Sequence, residues 1–98
     1  MESIIQKDKT KCFLCKQNAC GDYLARHHIF GASARSASEE YGLVVYLHNN
    51  RCHIYGENAV HRNKDIRRRL QAYAQRKAME NYGWTIDDFR LIFHRNYL

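Results

Sequence analysis

The apolar positions change period along the chain, and the changes mark its elements. Residues 1–10 are mostly polar and predict a frayed, disordered segment. Residues 23–30 suit a short strand that carries the adjacent pair His27-His28. Residues 31–38, Gly-Ala-Ser-Ala-Arg-Ser-Ala-Ser, are small almost throughout and read as a loop. Residues 43–47, Leu-Val-Val-Tyr-Leu, give the strongest strand signal, apolar and partly β-branched behind Gly42. The period then lengthens: Ile66, Leu70, Tyr73, Ala74, Ala78 and Tyr82 recur at steps of three and four. That stripe predicts a long helix over 58–82, with Asn58 as N-cap and Gly83 as the stop. A second helix over 85–95 opens at Thr85. Asp87 and Asp88 favour its N-terminal dipole, and Trp84 is placed to staple onto Phe89. With no proline, repeat or linker, residues 1–98 read as one α+β domain, ordered strand, strand, helix, helix.

Charge adds a partner class. Sixteen Lys and Arg stand against ten Asp and Glu, a formal net charge of +6. The surplus lies in the second half, densest at Arg62, Lys64, Arg67, Arg68 and Arg69, and Arg62, Arg69 and Arg76 recur every seven residues. A polyanion, most commonly DNA, is the partner such a surface suits. No apolar run approaches the ~20 residues of a membrane span, and residues 1–10 carry no signal-peptide core, so a cytoplasmic, reducing location is expected.

Reduced thiols bear on the four cysteines, Cys12, Cys15, Cys20 and Cys52. A Cys-x-x-Cys pair followed far downstream by a second Cys/His group reads as a zinc site rather than as two disulfides. Structural zinc takes four N/S ligands in a tetrahedron. Cys12 and Cys15 form the first pair, and Cys52 belongs to the second. His48 is the preferred fourth ligand, with Cys20 and His53 as competitors. Zinc would staple a core that is thin at this chain length.

The histidines add a second chemistry. On a strand, His27 and His28 face opposite sides. His61 opens the long helix and can approach the His27 side. Two imidazoles for a divalent cation and a third as base would equip the chain for phosphodiester hydrolysis.

Taken in order, these segments resemble the HNH, or ββα-metal, nuclease family. The matching stretches are Cys12-x-x-Cys15, Arg26-His27-His28-Ile29-Phe30-Gly31, the strand from Tyr41 to Leu47, Cys52-His53, and Ala59-Val60-His61-Arg62-Asn63. Tyr82-Gly83-Trp84-Thr85 and Arg95-Asn96-Tyr97-Leu98 extend the likeness over residues 12–98. It is nearest to the small phage and prophage proteins similar to the recombination-enhancement, RecA-dependent nuclease. The resemblance implies a zinc-stapled ββα-metal unit followed by a long basic helix and a C-terminal helix. It assigns Cys12, Cys15, His48 and Cys52 to structural zinc, and His27 and His61 to a catalytic Mg²⁺, Mn²⁺ or Zn²⁺. His28 becomes the general base.

Two positions depart from the family pattern. The second zinc pair is His-x-x-x-Cys-His instead of Cys-x-x-Cys-His. Tyr41-Gly42-Leu43 stands where the family has its middle Asn, leaving Asn63 or Asn49 to supply the orienting hydrogen bond. The expected function is a divalent-metal-dependent DNA endonuclease in phage recombination, with Arg62, Lys64, Arg67, Arg68, Arg69 and Arg76 on DNA and a RecA–DNA filament as partner. The alternative is a non-catalytic zinc module that binds DNA or assists recombination.

Overall fold

The two expected strands pair. In the computed structural model, which describes residues 1–98, β1 (Leu24–His28) and β2 (Val44–His48) form an antiparallel two-stranded sheet. Leu24 lies opposite His48 and His28 opposite Val44. β2 is apolar without alternation because both of its faces are covered, and Val44, Val45 and Leu47 have no exposed surface.

Residues 1–10 are not frayed; they cover the outer edge of β2. Ile4 N–H donates to the Gly42 carbonyl (2.9 Å), Ser3 Oγ to the Val44 carbonyl, and Tyr46 N–H to Gln6 Oε1 (2.7 Å). Phe13 N–H completes the edge on the Tyr46 carbonyl (2.8 Å). A sheet edge that would otherwise expose unpaired backbone groups is thereby occupied. Gly42 makes the approach possible. Its φ is +72°, and a Cβ there would stand 2.5 Å from the Glu2 carbonyl oxygen.

The expected loop over 31–38 is largely helical. A 3₁₀ turn at Ala32–Ala34 leads into α1 (Arg35–Glu40). Alanine is the strongest helix former, and one polar anchor fixes this small-residue segment. Ser38 is fully buried; its Oγ donates to the Leu43 carbonyl (2.7 Å) and accepts from Phe30 N–H (3.2 Å), tying the facing strand ends together.

After β2 the chain makes a π-helical turn, Asn49–Ile54. Asp22 holds that turn, its two carboxylate oxygens each accepting a main-chain N–H, from Asn50 and Arg51, at 3.0 Å. The long helix α2 spans Lys64–Tyr82, starting six residues after the expected cap. Asn63, not Asn58, caps it: Asn63 Oδ1 accepts from Asp65 and Ile66 N–H, both at 3.1 Å. Residues 58–63 are turns that carry the chain from the π-helical turn to the helix. Gly83 ends α2 at φ +69°, as expected.

α3 (Ile86–Phe93) starts with the expected Thr85 cap, here a full capping box with Asp88. Trp84 does not staple to Phe89. It stacks on Tyr82 (4.7 Å between ring centroids) and meets Tyr41 edge-on (4.9 Å). Phe89 packs instead with Phe93 (4.5 Å) and Phe30 (5.4 Å). Those rings, with Leu70, Ala74 and Ala78 of α2 and the inner side of the sheet, make up the core. No helix is long and apolar enough to cross a membrane.

Candidate metal centres

Cys12, Cys15, His48 and Cys52 converge, their ligand atoms all within 4.8 Å of one another. A tight turn presents the first two, with Cys12 N–H on the Gln17 carbonyl (2.8 Å) and Lys16 N–H on the Cys12 carbonyl (2.9 Å). β2 delivers His48 at its last residue, and the π-helical turn delivers Cys52. His48 is fully buried. Its Nε2–H donates to the Asn18 carbonyl (2.6 Å), so Nδ1 faces the sulfurs with a lone pair, 3.2 Å from Cys15 Sγ and 3.8 Å from Cys52 Sγ. Both competitors lie elsewhere: Cys20 is exposed, with Sγ on Asn18 Oδ1 (2.6 Å), and His53 joins a different cluster.

The thiols are electrostatically frustrated. Burial opposes ionisation of Cys12, but main-chain N–H groups of Cys15, His48 and Leu14 outweigh it and bring the thiol down to about 7. Burial, and then the neighbouring Cys12 and Cys15 sulfurs, push Cys52 up to about 12. Such a group ionises together only around a cation. Three thiolates and one imidazole can hold a structural metal and form a donor set that zinc favours.

A second cluster comprises His27, His53 and His61, again with ligand atoms within 4.8 Å of one another. Two main-chain bonds align the segments that carry the latter two: Val60 N–H donates to the Cys52 carbonyl (2.9 Å) and His61 N–H to the His53 carbonyl (3.0 Å). The Nε2 atoms of His53 and His61 lie 3.1 Å apart. His27 is 5% exposed, and its Nε2 has no hydrogen-bond partner, nor has His53 Nδ1. Burial, helped by the neighbouring imidazoles, lowers His27 to about 3, and burial and then His61 lower His53 as well. Neutral imidazoles with orphaned nitrogens are donors that can hold a metal ion.

His27 and His61 thus meet as the sequence suggested, and His53, a competitor for the sulfur site in the sequence, joins them instead. Its one sequence signal is its position directly after Cys52.

His28 points to the other side of β1, toward α1. Its Nε2 lies 3.0 Å from Glu39 Oε1. Glu39 also accepts from Arg26, at 3.1 Å from Nε and 2.6 Å from Nη2. The Arg26 guanidinium and then His28 hold the Glu39 carboxyl down at about 2. A cleft of about 250 Å³ brings together His27, His28, His53, His61, Arg26 and Arg35, and no acidic side chain lines it.

Asn63 is not among the residues around that cleft; its amide oxygen is used on the start of α2. Asn49 enters through its main chain, donating N–H to the Tyr23 carbonyl (2.9 Å). The partner of His28 is Glu39, which the sequence does not announce because the loop expected over 31–38 hides the helix that brings it there.

No family model, curated protein or solved structure matches this chain.

The six basic residues expected on DNA do not share a face. Arg62 precedes α2 and donates to the Tyr55 carbonyl (3.0 Å). Lys64, Arg67 and Arg68 line a groove against the C-terminal segment. Arg69 lies by Phe13, Leu14 and Tyr73 on another side, and Arg76 is exposed farther along the helix.

Proposed function

We propose that the chain is a divalent-metal-dependent DNA endonuclease of HNH type, built on a ββα-metal unit that structural zinc holds at Cys12, Cys15, His48 and Cys52. The observation that carries this reading is the juxtaposition of His27, His53 and His61 with His28 around one cationic cleft. Of Mg²⁺, Mn²⁺ and Zn²⁺, a donor set of three imidazoles without a carboxylate fits Zn²⁺ best, and an ion held there would supply Lewis-acid stabilisation of charge on the phosphate and the leaving oxygen.

The chain's own groups account for the rest. Glu39 accepts a hydrogen bond from His28 Nε2–H, so in the neutral imidazole Nδ1 carries the lone pair that can take a proton from water. The water oxygen bonds to phosphorus as the bond from phosphorus to a sugar oxygen breaks, and the leaving oxygen takes a proton from solvent. The water proton passes to His28, and the Glu39 carboxylate stabilises the imidazolium that forms. Arg35, which forms no ion pair, gives the cleft the sign that a phosphodiester requires, Arg26 being paired with Glu39. The resemblance adds a RecA–DNA filament and phage recombination as the setting of this activity.

One observation favours the second reading, a non-catalytic zinc module that binds DNA: Tyr41-Gly42-Leu43 carries no Asn. Glu39 offers His28 the orienting contact that the family draws from that Asn. The deciding test is nicking of supercoiled plasmid with Mg²⁺, Mn²⁺ or Zn²⁺, run on wild type, His28→Ala and His61→Ala, with and without RecA-coated single strands. Cation-dependent nicking by wild type alone, with unchanged circular dichroism in both variants, is the expected result. Silence from every protein while DNA is still bound would favour the binding module.

A further inference from the structure

Away from the histidine cleft, α2 and the C-terminal segment enclose a groove of about 360 Å³. Lys64, Arg67, Arg68 and Arg95 line it with the amides of Gln71 and Asn96, and no acidic side chain does. None of the four cations forms an ion pair; those in the chain are made by other residues. Arg67 spends one nitrogen on the Val60 carbonyl (3.2 Å), which anchors its guanidinium at the groove.

The fold commits a buried polar residue to building this groove. Gln75 has no exposed surface. Its Nε2 donates to Asn96 Oδ1 (2.8 Å) and its Oε1 accepts from Tyr97 N–H (2.7 Å). Burying an amide costs free energy unless its hydrogen bonds are made, and here both are made to the segment that carries Arg95. His94, at φ +67°, turns the chain out of α3 toward that position, and Arg95 rests over the Tyr97 ring at 5.4 Å.

We infer that this groove binds the phosphate backbone of a nucleic acid, at a place separate from the hydrolytic cleft. The inference rests on the proposed nuclease reading for its choice of polyanion. Four unpaired cations and two amides, with no acidic side chain, suit consecutive phosphates. The one aromatic lining the groove, Tyr97, packs on Phe30 (4.8 Å between centroids) beneath Arg95, which favours backbone contact over base stacking. Arg69 and Arg76 lie roughly 120–140° around the helix from Lys64 at 3.6 residues per turn, and fall outside the contact.

The test is fluorescence anisotropy of a short labelled duplex without added divalent cation, over a salt series. Arg68→Gln/Arg95→Gln is compared with wild type and with Arg69→Gln/Arg76→Gln, each checked for zinc content and circular dichroism. Loss of two phosphate contacts should weaken binding about tenfold or more at ~50 mM salt and flatten the log–log salt slope by about 1.8. The Arg69/Arg76 pair should leave both nearly unchanged. Equal loss from both pairs, or wild-type binding by the Arg68/Arg95 pair, overturns the groove. If the groove variant folds poorly, Lys64→Gln alone should flatten the slope by about 0.9, and an unchanged slope overturns it. Binding is read without cleavage. A protein that binds through the groove yet never nicks therefore refutes the chemistry and leaves the groove standing.

Discussion

Glu39 Oε1 and His28 Nε2 face each other at 3.0 Å, although Glu39 lies just past the small-residue run of 31–38 that suggests a loop. The contact selects which imidazole nitrogen keeps its proton and places a fixed negative charge behind the ring. Arg26 grips both oxygens of the same carboxylate, so the side chain has little freedom to turn away.

Glu39→Gln should therefore keep DNA binding and reduce nicking by about 10²-fold or more, the scale of a lost general-base contribution. The measurement pairs plasmid nicking with anisotropy on the same protein. Full activity in Glu39→Gln would leave His28 without need of its partner.

The same carboxyl sets an acid limb for stability. Its folded value is depressed to about 2 from an ordinary 4.5. Its contribution is thus present above pH 4.5 and lost as pH falls through about 2. Urea midpoints at pH 7 and pH 3 should converge between wild type and Glu39→Gln as the pH drops.

His27 acts at higher pH, with the sign of a histidine buried neutral. Its folded value lies at about 3 against an ordinary 6.5, so below pH 6.5 the unfolded chain takes up a proton that the folded chain refuses. Stability should fall from pH 6.5 toward pH 3, and by about 2 kcal/mol between pH 7 and pH 5 from this group alone. His27→Gln should show a correspondingly smaller drop in urea unfolding without added divalent cation, whatever its stability at pH 7.

Metal removal should be the most disruptive change. Chelation of the Cys12–Cys15–His48–Cys52 centre should unfold the domain, as read by loss of far-ultraviolet circular dichroism with release of one equivalent of zinc. Cys52→Ser should behave like the chelated protein, and Cys20→Ser should retain the full zinc complement. Native dichroism after complete metal loss would contradict this.

Gln75→Leu probes the C-terminal segment. It leaves the Asn96 side chain and Tyr97 N–H without their partner, at a cost of about 1–3 kcal/mol. Proteolysis near residues 94–98 should accelerate, and DNA affinity should fall alongside it.

Both strands, the long helix, the Thr85 cap and the Gly83 stop were legible because each rests on local chemistry: β-branched runs, helical spacing, capping side chains. His48 was legible because strand β2 had to end on it. What was hidden depended on distant partners. Residues 1–10 look polar and free, yet Ser3 and Gln6 find a sheet edge beyond residue 43. Both Asn58 and Asn63 can cap a helix, and only the turns imposed by the Cys52 and His53 pairings decide for Asn63. His53 and Glu39 joined the candidate site through tertiary contacts that no local spacing announces.

Cys52 serves one metal cluster and its immediate neighbour His53 serves the other, on a turn that two main-chain bonds clamp to residues 60 and 61. A single peptide bond thus yokes the two centres. If a metal holds the sulfur cluster as proposed, its loss should loosen the imidazoles too, and the histidine site should assemble only after that metal is in place. Metal supply would then act as a licence for the proposed hydrolytic centre.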